Sequence, residues 1–179
     1  MLAYPSLQDR IRSEIHSVIG RDGEILMSDR PNMPYASAAI TELQRVANIL
    51  PLNVVHRTTV DTEVHGQFIP ENSHILAQIS NMMKNSSVFD RSEEFRPERF
   101  LMADGKTPNK TTLEQAVPFS MDKRQCARES LARMELFLGL VMILQKYRIL
   151  PPKDAPLDLS PIEGIIHIPK TNYLQMILV

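Results

Sequence analysis

A single cysteine, Cys126, stands among the 179 residues. That excludes an internal disulfide framework and points to a reducing compartment. Neither sign of charge is in excess: 20 basic and 21 acidic residues leave a net charge of −1. No whole-chain field therefore selects nucleic acid or a membrane surface. Asp9, Arg10, Arg12 and Glu14 interrupt the stretch Met1 to Gly20, which excludes a secretory signal there. The greasiest run, Leu136 to Leu144, is too short to span a bilayer. Internal repeats and low-complexity tracts are absent. What remains is a chain with 43% apolar residues, enough for a core, and a length that suits one domain or part of a larger one.

Apolar spacing predicts three helices. Leu7, Ile11, Ile15 and Val18 recur on one face of a helix over Ser6 to Ile19, with Ser6 and Asp9 as a capping-box-like start and Gly20 as the stop. After a polar loop, Arg21 to Pro34, a second helix runs from Tyr35 to Ile49 between two prolines. Its expected buried face is Ala39, Leu43, Val46, Ala47 and Leu50. Glu129 to Tyr147 is apolar nearly all round and is expected to be buried. Between the second and third helices, Val54 to Val60 and Glu63 to Ile69 read as strands, with Gly66 marking a kink or turn. His74 to Ser80 reads as a short strand or a helix start. Asn81 to Pro118 is mostly irregular, and a loop this long usually serves a purpose. The tail reads as short strands at Gly164 to Ile168 and Tyr173 to Val179. The class is α+β, mainly helical.

The one cysteine has Lys123, Arg124 and Arg128 close by and a helix starting within about a turn. Positive charge and a helix N-terminus favour the thiolate, the form that ligates metal. The competing reading is an inert buried cysteine. His16, His56, His65, His74 and His167 lack a protease-like signature. One cysteine with scattered histidines is poor material for zinc, although His56, His65 and His74 are evenly spaced. Two other clusters stand out. ELQR places Glu42 and Arg45 one helical turn apart, which could be no more than an exposed ion pair. FRPERF, Phe95 to Phe100, could be no more than a loop pinned by its phenylalanines.

In order and spacing these pieces resemble the C-terminal part of a cytochrome P450, a haem-thiolate monooxygenase of the animal drug-metabolising branch. ELQR resembles the family's ExxR, FRPERF its PERF segment, and PFSMDKRQCARE its haem-binding loop, F-x-x-G-x-R-x-C-x-G. ESLARMELFLGL resembles the helix after the cysteine, and HRTTVDTEVHGQFIP the paired strands between ExxR and PERF. The resemblance covers nearly the whole chain. It implies one incomplete domain over residues 1–179: a helix pair, a small β-sheet region, the haem-binding loop and a buried helix after the cysteine. The implied cofactor is haem b, iron protoporphyrin IX, with Cys126 as the axial thiolate that pushes electron density toward O–O cleavage. Arg124 is implied to pair one haem propionate, His56 the other, and Phe119 to pack beside the sulfur. Glu42, Arg45 and Arg99 match a buried triad that fixes the loop. Electrons are implied to come from NADPH through a reductase, whose acidic surface would suit Arg91, Arg96, Lys123 and Arg124. The implied substrate is a small lipophilic molecule and the implied location the cytosolic face of the endoplasmic reticulum. The chain itself is expected to have no anchor and to be cytoplasmic.

Two family glycines are replaced, by Asp122 and Arg128. Asp tolerates a left-handed backbone better than most residues, but brings a carboxylate toward an anionic cofactor. Arg128 brings bulk. No acid–alcohol pair for oxygen activation is identifiable, so no catalytic residue is assigned, and this chain alone is expected to be inactive. Two rival expectations follow: a truncated or decayed relative with impaired haem binding, and a binding module that docks a partner on unpaired helix faces.

Overall fold

The computed structural model describes residues 1–85, 87–152, 157–170 and 174–179. Three long helices carry the core. Helix α1 is Pro5–Ile19, α2 is Pro34–Ala47 and α5 is Glu129–Lys146; two short helices, α3 (Ile79–Lys84) and α4 (Lys110–Gln115), lie between the last two. Ile11 and Ile15 of α1 pack with Tyr35, Ala36, Ala39 and Ile40 of α2, with Phe89 and Phe100, and with Phe137, Val141 and Leu144 of α5.

Polar side chains join α1 to the far end of α5. Arg12 caps that end, its Nε donating to Leu144 O at 3.0 Å and Nη2 to Tyr147 O at 2.8 Å. The buried Gln8 amide donates to Ile149 O and accepts from Ile149 N–H, at 2.8 and 2.9 Å. It thereby satisfies both backbone groups of that residue. Glu14 reaches the first turn of α2, accepting from Tyr35 N–H at 2.9 Å and Ala36 N–H at 2.8 Å. These are unpaired donors of the helix start, and a carboxylate suits them.

Among the described residues the strands form four two-stranded ribbons. β1 (His56–Arg57) pairs with β4 (His74–Ile75), and β2 (Thr62–Val64) with β3 (Gln67–Ile69). β5 (Tyr147–Leu150) pairs with β8 (Gln175–Leu178), and β6 (Pro161–Ile162) with β7 (Ile168–Pro169). All four are antiparallel.

Several sequence expectations change. Pro5 at the first helical position starts α1, and no side chain caps it; Asp9 pairs instead with Arg12 and Arg148. The polar loop contains a 3-10 helix, Met27–Asn32. Helix α2 stops at Ala47 because Asn48 turns left-handed at φ 37°. Its buried face is Tyr35, Ala36, Ala38, Ala39, Ile40, Thr41, Glu42 and Arg45, whereas Val46 and Leu50 are exposed. The expected strand Glu63 to Ile69 is a hairpin, since His65 and Gly66 both have positive φ, as a tight two-residue turn requires. Only His56 and Arg57 of Val54 to Val60 pair as strand. Tyr147 begins β5 rather than ending a helix. In the tail, the pairing residues are Ile168–Pro169 rather than Gly164 to Ile168; Tyr173 lies outside the described residues.

The helix after the cysteine is not buried all round. Phe137, Val141, Leu144 and Gln145 face the core, while Leu131, Leu136, Met142 and Ile143 are exposed. Within the described residues α5 packs against α1, α2, β5 and the 3-10 helix, all on the core side.

Candidate functional site

Glu42 of α2 is fully buried, and the hydrogen bonds to its carboxylate come from two guanidinium groups and one backbone N–H. Oε2 accepts from Arg45 Nε at 2.7 Å; Oε1 accepts from Arg45 Nη2 at 2.9 Å, Arg99 Nε at 3.1 Å and Arg96 N–H at 2.8 Å. Arg99 comes from the 3-10 turn Pro97–Phe100, whose proline fixes its first residue. The remaining guanidinium hydrogens meet carbonyls. Arg45 donates to Met83 O at 2.8 Å and Ser92 O at 2.7 Å, and Arg99 to Asp90 O at 3.0 Å. The structure thus brings Glu42, Arg45 and Arg99 together with their polar atoms matched. A buried cluster of this kind fixes one arrangement of segments more than it stabilises, because desolvation offsets much of the attraction. The Glu42–Arg45 pair is not an exposed one.

The cluster reaches the cysteine segment through Met83. That residue packs with Ile79 and Val117 in a second small core. Val117 opens the loop, and Ser120 N–H donates back to Val117 O at 3.1 Å. Cys126 N–H then donates to Phe119 O at 2.9 Å, closing the loop just before α5. Asn53 ties the loop to the β1 region, its Nδ2 donating to Ser120 Oγ at 2.9 Å. The sequence carried no signal for Asn53 in this role.

A cleft of about 840 Å³ lies between the loop and the β1–β4 region. His56 and Arg124 both line it, as do Asn53, Ser120, Asp122 and Lys123. Pairing with β4 holds His56, opposite Ile75. Phe119 and Cys126 do not line this cleft. Phe119 lies under the guanidinium of Arg133, at 5.3 Å from its ring centroid, and Arg133 is held by Glu129 at 2.6 Å. Cys126 is a free, exposed cysteine, not a core residue. Among the described residues no cluster of three or more histidine, cysteine or acidic side chains could hold a metal ion.

The replaced glycines behave differently. Asp122 sits at φ 57°, the left-handed conformation that glycine adopts most easily. The aspartate therefore holds a backbone conformation that is open to glycine. Arg128 caps α5 at φ −106° and ψ 16°, which any residue can take, and its exposed side chain does not line the cleft.

A buried ion-paired triad thus stands behind the cysteine loop, beside a cleft lined by His56, Asp122, Lys123 and Arg124. The comparisons give the chain's kinship. The sequence model of the family described as Cytochrome P450 matches residues 1–176, and the chain belongs to that family. It is 38% identical over 176 residues to "Cytochrome P450 1A2" of Oryctolagus cuniculus, covering 98% of this chain and 34% of the relative. It is 41% identical over 175 residues to "Cytochrome P450 2B2" of Rattus norvegicus, covering 96% and 35%. For "Cytochrome P450 2H1" of Gallus gallus the identity is 40% over 163 residues, covering 90% and 33%. The chain spans about a third of the length of these curated relatives. No helix among the described residues is long and apolar enough to cross a membrane.

Proposed function

We propose that this chain is the haem-ligating portion of a monooxygenase that inserts one oxygen atom from O2 into small lipophilic substrates. The observation that carries the reading is that His56, on β1, and Arg124, in the loop that ends in Cys126, line one cleft of about 840 Å³. Haem iron with a cysteine thiolate ligand supplies the oxygen and electron chemistry of such enzymes.

The residues present fit that group. Arg124 offers a charged fork to a propionate carboxylate, and His56 a ring N–H to the other. Cys126 is a free, exposed cysteine close in sequence to Lys123 and Arg124. Phe119 holds the backbone carbonyl that fixes Cys126 N–H. Glu42, Arg45 and Arg99 keep the segments before the loop in one arrangement. By family, electrons come from NADPH through a reductase at the cytosolic face of the endoplasmic reticulum, and the exposed Arg91, Lys123 and Arg124 suit an acidic partner.

A second reading rests on Asp122. Asp122 lines the same cleft as Arg124, so it would set a second carboxylate beside a propionate there. The expected result is weakened haem retention, the behaviour of a decayed, non-catalytic relative. Haemin titration followed at the Soret band separates the two. Saturable binding that Arg124→Gln and His56→Gln each weaken supports the first reading. Unsaturable binding, indifferent to both variants, supports the second.

A further inference from the structure

Two side chains of α1, Arg10 and Glu14, lie one turn apart on one face and grip the two segments that supply the buried triad. Glu14 accepts from the backbone of Tyr35 and Ala36 at the start of α2. Arg10 Nη1 donates to Glu98 Oε1 at 2.5 Å, and its guanidinium carbon stands 3.6 Å from the centroid of the Tyr35 ring. The Tyr35 hydroxyl donates to the same Glu98 oxygen at 3.1 Å. Glu98 is the chain neighbour of Arg99, and Tyr35 opens the helix that carries Glu42. The turn at Gly105, with φ 68°, closes over the guanidinium: a Cβ there would meet Arg10 Nη2 at 3.8 Å.

We propose that Arg10 is a positioning residue for the Glu42–Arg99 contact. Its guanidinium, shared between the Tyr35 face and the Glu98 carboxylate, sets the spacing between α2 and the Pro97–Phe100 turn. As an ion pair alone, half in water, Arg10 with Glu98 would contribute little. The shared planar cation is what matters, and lysine cannot reproduce both halves of it. The effect on Arg99 is readable without cofactor. Only its consequence for the Cys126 loop rests on the function proposed above.

The experiment measures hydrogen exchange at the guanidinium Nε–H groups of Arg45 and Arg99 by nuclear magnetic resonance, in the 179-residue chain. Arg10→Gln and Glu98→Gln should each speed exchange at Arg99 by about tenfold or more. Arg45 Nε–H, held by Glu42 within α2 itself, should keep its rate, and Arg10→Lys should fall between wild type and Arg10→Gln. An unchanged Arg99 rate overturns the proposal. So does an equal acceleration at Arg45 and across the slow backbone amides, which is mere loss of stability. Haemin added to the same samples separates the two claims. If wild type fails to bind it, the function proposed above fails while the exchange result stands.

Discussion

Arg45 Nη1 donates to Met83 O at 2.8 Å, and Met83 packs against Val117 at the mouth of the cysteine loop. The link runs from a charged side chain in the last turn of α2, through one carbonyl, to an apolar contact that opens the segment bearing Cys126. Replacing Arg45 leaves Glu42 with one fewer cation and strands the carbonyls of Met83 and Ser92. Arg45→Leu should cost about 3–5 kcal/mol, because one partner of a buried ionic group is lost. Chemical denaturation reads this directly. A loss under about 1 kcal/mol, the size of an exposed pair, would contradict the buried geometry.

Asp122 holds a backbone conformation that costs side-chain-bearing residues energy. Asp122→Gly relieves that cost but adds freedom to the unfolded chain. The net change in stability should be under about 1 kcal/mol, in either direction. Haemin affinity, by contrast, should rise, since a carboxylate leaves the cleft beside Arg124. Unchanged affinity would mean that the aspartate is not what weakens binding.

Burial pushes the Glu14 carboxyl above its ordinary 4.5, while the Ala36 and Tyr35 N–H groups and then Arg10 pull it down. Burial is the largest effect, so the folded pKa lies above the unfolded one. The stability this group contributes is then fully present below pH 4.5 and is lost as pH rises through the folded pKa. A carboxyl carbon titration by nuclear magnetic resonance should give Glu14 a midpoint above 4.5. A midpoint below it would show that the two N–H donors outweigh burial.

The three long helices were legible because apolar spacing survives in any context. The face of α2 was not. Its interior side carries Glu42 and Arg45, while Val46 of the helix and Leu50 beyond its end are exposed. Hydrophobic patterning assigns those sides the other way round; here the paired charges decide which side turns inward. The β5–β8 ribbon joins Tyr147 to Leu178 and has no local sign. The cysteine loop and the residues of the triad were legible as motifs. Asn53, Met83 and the Arg10–Tyr35–Glu98 cluster were not, because each acts through a contact between segments far apart in the chain.

Ligation of haem iron by Cys126 has a direct spectroscopic test. The measurement is the absorption spectrum of the chain reconstituted with haemin, reduced and exposed to carbon monoxide, beside Cys126→Ser. Ligation by Cys126 gives a strongly red-shifted Soret band in the wild type that the serine variant abolishes. A spectrum like that of free haem, the same with and without the cysteine, would contradict it.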